Sequence, residues 1–588
     1  MKKLIYTLFI AASVSACNFL DTPVYDELDE ESIYHNETTC LSGLAGIYDM
    51  LGTAGLYGQN LWGDLDAGTD IMVYNRSYGM NYLYVSHYNY NNTEEHVEAT
   101  WEDLYEGINR ANDYIDILSR RTDEDCGGAD RKAMYVGEAK ALRALFYMNL
   151  LAYWGEVPLR LTPTKDLSNQ LLDKSPQADI YAQIIQDLKD AEAGCLPADE
   201  LNSPGRISRT TAQALLARAY LWEAGYPLYA DTWNDALTYA RKVRDSGLHS
   251  LNQASTSVAT SLPSYTIGTG NDEYMDRSYY DNGYCSLFIN MCSNLYDLTA
   301  RESMFEVEFY GNGLDQSNES GKVGLYNGIS NNITTDQDQP FAYAWYDATK
   351  ILLRLYNKVL EDPTTVNQAK ETGDRDARKW WNISDYTFET NSGTAVKVLR
   401  TNYQQGGIEF RNTATNNVFP GKWRAEYDPI RPWARNNGSI NFPVMRYSDV
   451  LLMIAEASNE VSGPTQEAID AINEVRERAG AVPVSLSDFT DQAALRQFIF
   501  EERTRELCFE VPRHQELRRM GRDFFFQRIR MLSDQSLYIS NQAGSTVGYP
   551  VDNVRSVPAQ NIQDKHIYLP IPQCELSVNT ICRQTEGW

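Results

Sequence analysis

Apolar residues recur at the helical spacing i, i+3, i+4 and i+7 over long stretches of this 588-residue chain. Such spacing places the apolar side chains on one face of an α-helix, and that face must pack against another element. The chain is therefore predicted to be mainly α. Helices are predicted over residues 94–121, 131–154, 180–193, 210–223, 233–244, 493–509 and 513–529, with one more that Ser448 caps and one that Pro464 opens.

These helices come in pairs with small residues at the expected contacts, which resembles a tetratricopeptide-like repeat scaffold. The repeat consensus is not matched cleanly, so the pairs are interpreted as degenerate. Between the two helical regions, residues 246–441 are rich in Gly, Asn, Ser and Tyr. This segment is predicted to be a long, irregular, partly β insertion, with a strand over 306–310 and a turn over 311–313. Long loops on a helical scaffold usually carry function.

The N-terminus predicts export. A short basic start precedes an apolar run over residues 4–14, which is too short for a membrane span of about 20 residues. The following Val14-Ser15-Ala16-Cys17 resembles a bacterial lipobox, in which cleavage precedes an acylated Cys. Ordinary cleavage after Ala16 is the alternative. The expected layout is a signal peptide over residues 1–16 and a lipidated Cys17 with an acidic linker over residues 17–31.

The charge balance and the motif search exclude several function classes. The chain has 80 Asp plus Glu against 52 Lys plus Arg, a formal net charge of −28, so nucleic acid is an unsuitable partner. No nucleophile-elbow, P-loop or zincin motif occurs, and the six His are far apart in sequence. Asp64, Asp66 and Asp70 resemble a calcium loop only weakly, because its twelfth position is the neutral Asn75. No catalytic residue, metal or cofactor is expected.

Two groups of residues allow two interpretations each. The eight cysteines beyond Cys17 are either buried free thiols or disulfides, with Cys285 and Cys292, and Cys574 and Cys582, as the nearest pairs in sequence. A charged block over residues 501–522 either binds an anion or forms a structural ion-pair network, and the second interpretation is favoured.

The aromatic residues are candidates for ligand binding. The chain has 39 Tyr against 18 Phe, and several Tyr cluster with Asn and Arg in the predicted loops. Sugar rings stack on aromatic faces while their hydroxyls pair with amides and guanidinium groups. For any single Tyr, core packing is the plainer interpretation. The candidate contacts are Tyr74, Asn75, Arg76, Tyr78, Asn81, Tyr82, Tyr88, Tyr279, Tyr280, Tyr284, Tyr343, Trp345 and Tyr346.

Several sequence blocks resemble the SusD/RagB family of Bacteroidetes outer-membrane lipoproteins. They occur in the family's order and extend over nearly the whole mature chain. One departure is Val511-Pro512, where members typically have Glu-Gly, and we expect it to alter a local turn rather than the fold. The blocks are the lipobox with residues 18–21, then residues 209–222, 301–307, 446–458, 468–480, 500–522 and 568–579.

The resemblance implies about four tetratricopeptide-like helix pairs in one compact body, with helical regions over residues 32–245 and 442–588 on either side of the 246–441 insertion. It also implies a non-catalytic protein, lipid-anchored at the outer membrane. Such a protein captures glycan at the cell surface for a SusC-like TonB-dependent transporter. Ligand contacts vary in position within the family, so none is transferred by motif. A peptide-capturing receptor of the same architecture and a secreted glycoside hydrolase remain the alternatives.

Overall fold

The computed structural model describes residues 33–76, 83–164, 171–254, 282–310, 321–331, 341–357, 376–384, 386–391, 394–399, 401–404, 407–410, 419–430, 436, 438–536, 546 and 548–588. The signal peptide, Cys17 with its linker, and the turn predicted over 311–313 lie outside these residues.

Within the described residues the fold is mainly α, as predicted. Its helices are α1 (Glu37–Tyr48), α2 (Leu83–Ser86), α3 (Glu95–Arg120), α4 (Ala129–Trp154), α5 (Gln177–Gly194), α6 (Arg209–Glu223), α7 (Trp233–Asp245), α8 (Gly283–Cys292), α9 (Lys350–Asn357), α10 (Ala377–Asn382), α11 (Tyr447–Ser462), α12 (Gln466–Arg478), α13 (Gln492–Leu507), α14 (Arg513–Arg519), α15 (Arg522–Arg530), α16 (Val557–Asn561) and α17 (Gln573–Val578).

Short antiparallel strand pairs accompany the helices. In the described part of the chain, β1 pairs with β3, β2 with β8, β4 with β5 and β6 with β7. The first two pairs join the insertion to segments that are distant in sequence. The strands are β1 (Met72–Tyr74), β2 (Ser303–Val307), β3 (Tyr346–Ala348), β4 (Tyr386–Asn391), β5 (Thr394–Leu399), β6 (Thr401–Gln404), β7 (Gly407–Phe410) and β8 (Phe442–Arg446).

Eight helices form the scaffold, which confirms the prediction of four repeat-like pairs. The first three pairs are α3 with α4, α5 with α6, and α7 with α11, and each packs against the next. The two helices of the fourth pair, α12 and α13, both pack against α11. Stacking buries the faces that a single pair would leave in water. Helix α4 lies inside this array and is buried on nearly all sides over its second half. Small residues such as Ala141 and Ala144, both fully buried, let its neighbours approach closely.

Most predicted helix boundaries differ from the observed ones by a few residues, but three local predictions are wrong. Helix α11 begins at Tyr447, and Ser448 accepts a hydrogen bond from Arg446 Nη1 at 2.7 Å instead of capping the helix. The helix predicted over 513–529 is two helices, because Gly521 has φ +134° and interrupts it. The strand predicted over 306–310 lies earlier, at Ser303–Val307, where β8 supplies its partner.

A buried ion-pair network holds the insertion against the C-terminal helices. Arg446 at the end of β8 pairs with Glu302 and Glu506 at 3.0 Å each and with Glu510 at 2.5 Å. Arg478 on α12 pairs with the same Glu302 and Glu506 at 2.6 and 2.5 Å. All five side chains are at most 9% exposed. A buried charge is tolerated when it is paired and hydrogen-bonded, so these contacts confirm the structural interpretation of the charged block.

None of the described helices combines the length and the apolar character that a membrane crossing requires. The boundaries proposed for the helical regions and the insertion remain predictions.

Candidate functional site

Two of the predicted aromatic segments meet in the structure. Strand β1 pairs with β3 so that Tyr74 lies opposite Tyr346. The pairing continues beyond the strand, since the backbone N–H of Asn75 donates to the carbonyl of Trp345 at 2.9 Å. Residues more than 260 positions apart are therefore neighbours, with Asn75 and Arg76 beside the loop that carries Tyr343.

Asn75 and Arg76 fix this loop through their side chains. Asn75 Nδ2 donates to the carbonyl of Ala344 at 2.8 Å and to Asp347 Oδ1 at 2.7 Å. Arg76 Nη2 donates to the carbonyl of Tyr343 at 2.9 Å. Ala344 has φ +48°, a left-handed conformation that is uncommon for a residue with a Cβ atom. The contacts from Asn75 and Arg76 support the backbone on both sides of this strained residue.

Four aromatic rings are packed together on the supported loop. Tyr326 stacks on Trp345 with ring centroids 4.0 Å apart and planes 25° from parallel. Tyr343 contacts Trp345 at 5.2 Å, and Phe341 contacts Tyr343 edge-on at 4.5 Å. Tyr326, Trp345 and Phe341 are buried, whereas Tyr343 is half-buried. The buried rings thus fix the orientation of the Tyr343 ring, which is partly exposed. We call Tyr326, Phe341, Tyr343 and Trp345 the Tyr343 platform.

Polar groups surround the platform. The hydroxyl of Tyr343 donates to Asn436 Oδ1 at 3.4 Å, and Lys322 Nζ donates to the backbone carbonyl of Asn436. Burial lowers the pKa of Lys322. Arg76 is exposed and Asn75 is half-buried. A partly exposed ring flanked by amide and cationic donors suits a ligand with an apolar face and hydroxyl or carboxylate edges.

The carboxylate beside the platform is engaged by the protein. Asp347 is fully buried, accepts from Asn75 and pairs with Arg555 at 2.5 Å. A glycosidase needs one carboxylic acid that gives a proton and a second carboxylate that acts as nucleophile or base. A carboxylate held between an amide and a guanidinium is suited to neither role, so Asp347 positions the loop.

Family profiles match both ends of the chain. The profile described as the SusD family matches residues 297–588, and the profile described as starch-binding, associating with the outer membrane, matches residues 18–221.

The chain belongs to the SusD/RagB family.

Relatives of known sequence and structure agree with this assignment. The chain is 24% identical to SusD-like protein P25 of Formosa agariphila over an alignment 607 positions long, which covers 99% of this chain and 98% of that protein. A SusD homologue from Bacteroides thetaiotaomicron has the same fold, with a TM-score of 0.76, 24% identity, and coverage of 95% of this chain and 98% of that chain. A laminarin-binding SusD-like protein superposes with a TM-score of 0.60 at 24% identity, with coverage of 94% and 100%.

The structure removes four tyrosines of this SusD/RagB protein from the predicted ligand contacts. Each is buried and its hydroxyl or ring is engaged in the core, so core packing is the correct interpretation. Tyr74 and Tyr346 contact each other at 5.7 Å beneath the platform, and Tyr346 donates to Asp64. Tyr88 bonds to His514 Nε2 at 2.9 Å. Tyr284 donates to Asn382 Oδ1 at 2.8 Å.

Of the remaining candidates, the structure brings Asn75, Arg76, Tyr343 and Trp345 together. Trp345 supports Tyr343 from below and is itself mostly covered, with 7% exposed. Tyr78, Asn81, Tyr82, Tyr279 and Tyr280 lie outside the described residues, so they stay predictions.

The sequence interpretation missed Tyr326, Phe341, Lys322 and Asn436. One signal was available for Phe341, because Phe341, Tyr343 and Trp345 alternate with alanines at every second position. In an extended chain this spacing places side chains on one face. Tyr326, Lys322 and Asn436 reach the site through tertiary folding, and no local pattern marks them.

The three aspartates of the weak calcium motif support the fold. Asp64 accepts from Tyr346, and Asp66 accepts from the backbone N–H of Arg513 at 2.9 Å. Asp70 pairs with Arg513 at 2.8 Å. Burial raises the pKa of Asp70, but the Coulombic and hydrogen-bonding effects of Arg513 and Arg528 outweigh it, and the net pKa is well below the usual range. These oxygens bind protein donors, and in this chain Asp66 and Asp70 attach the 64–70 loop to α14.

Proposed function

We propose that this SusD/RagB protein is a non-catalytic glycan-binding lipoprotein of the outer membrane. It holds oligosaccharide against the Tyr343 platform. The observation that carries the proposal is the platform itself: a half-exposed Tyr343 ring oriented by three buried aromatic rings and flanked by Asn75, Arg76 and Asn436. A preorganised aromatic face costs little entropy on binding.

The family supports the ligand class. One matched profile describes starch-binding proteins that associate with the outer membrane. A structural neighbour is a laminarin-binding protein, and both ligands are glucans. Arg76 and Lys322 add cationic donors at the rim, which would also donate to the carboxylate of a uronic acid. The proposed ligand is therefore an oligosaccharide, either neutral or carrying uronic acid.

The anchor and the partner complete the proposal. Acylation of Cys17 would tether the mature chain to the membrane, and the acidic linker would give the body reach. The bound glycan would then pass to a SusC-like TonB-dependent transporter, whose own energy coupling drives uptake. No nucleotide site is required of this chain.

A binding screen tests the proposal. Purified protein without the signal is titrated calorimetrically with starch oligosaccharides, laminarin oligosaccharides and oligouronates, with a peptide library in parallel. We expect saturable binding of at least one glycan and recovery of that glycan unchanged in length. Binding of peptides but of no glycan would favour the peptide receptor. Cleavage of the glycan, lost in carboxylate variants, would favour the hydrolase.

A further inference from the structure

Two buried cysteines at the start of the folded body have their sulfurs close together. Cys40 lies on α1 and Cys126 lies in the turn between α3 and α4. Their Sγ atoms are 4.0 Å apart, and both residues are 0% exposed. A disulfide requires the two sulfurs to approach to about 2.0 Å, so the gap that remains to be closed is about 2 Å. In the structure both are free thiols.

The pairs suggested by sequence proximity are less suitable. Cys285 and Cys292 lie on the single helix α8, seven residues apart. At a rise of 1.5 Å per residue their Cα atoms are about 10 Å apart, beyond the usual disulfide span of about 4–7 Å. Cys574 faces carboxylates instead, with its sulfur within 4.8 Å of carboxylate oxygens of Glu98 and Glu102.

Helix α1, which carries Cys40, follows the proposed N-terminal tether, so a bond to Cys126 would join the scaffold to the start of the folded body. Around the cysteines, Arg121 Nε donates to the carbonyl of Ile33 at 3.0 Å, and Tyr114 donates to the carbonyl of Cys40 at 2.7 Å. Arg131 pairs with Glu37 at 3.4 Å across an exposed surface. Exposed ion pairs contribute little stability. A covalent bond between Cys40 and Cys126 would hold α1 to the scaffold more firmly than these non-covalent contacts.

We propose that Cys40 and Cys126 form a disulfide in the exported protein, made by a thiol–disulfide oxidant, and that it fastens α1 to the α3–α4 turn. This inference rests on the export that the proposed function includes, since intramolecular disulfides persist mainly outside the cytoplasm. The bond closes a loop of 86 residues. Long loops are those for which a cross-link restricts the unfolded chain most.

The oxidation balances in two exchanges. The thiolate of one cysteine attacks the S–S bond of the oxidant, which forms a mixed disulfide and releases one oxidant thiol. The thiolate of the second cysteine attacks the protein sulfur of that mixed disulfide and releases the other oxidant thiol. Cys40 and Cys126 together lose two protons and two electrons, which the oxidant gains. Burial raises the pKa of Cys40 to about 12 in the folded protein, which leaves little thiolate to react. The exchange is therefore expected during folding, before the two cysteines are buried.

Thiol counting tests the inference. The full chain is expressed with its own signal, recovered from membranes, denatured without reductant, alkylated and analysed by mass spectrometry. Of the eight cysteines beyond Cys17, we expect six to be alkylated and a linked peptide to contain Cys40 and Cys126. Eight alkylated thiols, or a different linked pair, would overturn the inference.

Variants and a second measurement make the test independent of folding defects and of ligand binding. Cys40→Ser should free Cys126, so that all seven remaining thiols are alkylated, while Cys195→Ser, also buried, should leave five. Dithiothreitol should lower the unfolding midpoint of wild type by several degrees and leave that of Cys40→Ser unchanged. An equal effect of dithiothreitol on both proteins would contradict the inference. Glycan binding is measured on the same preparation, and its absence would contradict the proposed function without altering the thiol count.

Discussion

Asn75 and Asp347 are hydrogen-bonded beside the platform, with 2.7 Å between Asn75 Nδ2 and Asp347 Oδ1. The same amide donates to the carbonyl of Ala344 at 2.8 Å. One side chain from the N-terminal region therefore holds the loop that carries Tyr343. This contact fixes the backbone next to Tyr343, so its removal tests the proposed binding site.

Asn75→Ala should weaken glycan binding, and a variant elsewhere that costs the same stability should not. Loss of the two hydrogen bonds should lower the free energy of unfolding by about 1–2 kcal/mol, measured by urea denaturation. The matched control is Asn109→Ala on α3, which removes the 3.2 Å hydrogen bond from Asn109 Nδ2 to Asp113 and the acceptor of the Thr164 backbone N–H. It should cost similar stability and leave the glycan Kd unchanged. Equal effects on Kd in both variants would show that Asn75 does not order the platform.

Asp70→Asn should destabilise the protein strongly. Asp70 is 0% exposed and pairs with Arg513 and Arg528, so the change leaves the buried guanidinium of Arg513 and the half-buried one of Arg528 without a carboxylate. We expect a loss of about 3–5 kcal/mol in the free energy of unfolding. The control is Asp173→Asn, which breaks an exposed pair with Arg583 and should cost about 1 kcal/mol or less. A loss at Asp70 as small as that at Asp173 would contradict the structural role of the charged block.

Deprotonation of Glu306 should lower the free energy of unfolding as the pH rises to neutrality. Burial raises the pKa of this carboxyl from 4.5 to about 7 in the folded protein. Between these values the native state binds more protons than the unfolded state, so the free energy of unfolding decreases with increasing pH. The full decrease is about 3 kcal/mol and is complete above the folded pKa.

Glu306→Gln tests this pH dependence directly. The amide keeps the shape of the side chain next to Asn441 Nδ2, which donates to Glu306 Oε2 at 3.0 Å, but it does not titrate. Urea denaturation between pH 5 and about pH 8 should show a smaller slope for the variant than for wild type. An unchanged slope would assign the effect to other groups.

The scaffold followed from the sequence because helical periodicity is local information. Helices α3 to α7 and α11 to α13 occur where the apolar spacing predicted them. The errors have local causes that only the three-dimensional structure shows. Ser448 could not be recognised as a partner of Arg446, and Gly521 could not be distinguished from a helical glycine without its φ of +134°.

The candidate site was only partly predictable. Tyr in a Gly- and Asn-rich segment predicts exposure, yet Tyr88 and Tyr284 are buried because His514 and Asn382 satisfy their hydroxyls. His514 is 426 positions from Tyr88 along the chain, and Asn382 is 98 positions from Tyr284. The meeting of Asn75 with the Tyr343 loop depends on the β1–β3 pairing, which no local pattern specifies.

Cys17→Ala should release the protein from membranes without unfolding it. Acylation is the membrane attachment that the proposal gives this chain, so without it the protein should move to the soluble fraction with an unchanged circular dichroism spectrum. Membrane fractionation is carried out in cells that lack the transporter partner. Retention of Cys17→Ala in membranes there would contradict the lipid anchor, and release of the wild type would favour ordinary cleavage after Ala16.

The most direct test of the central claim is the Kd of the glycan found in the screen, measured by calorimetry for wild type, Tyr343→Ala and Tyr343→Phe. The control is Tyr229→Ala, which removes a tyrosine that is 64% exposed and lies outside the platform. Loss of the stacking ring in Tyr343→Ala should weaken binding by several-fold to about tenfold, while Tyr343→Phe, which keeps the ring, should bind more tightly than Tyr343→Ala. Tyr229→Ala should bind like wild type. A Tyr343→Ala variant that folds normally and binds the glycan as tightly as wild type would contradict the assignment of the platform as the binding site.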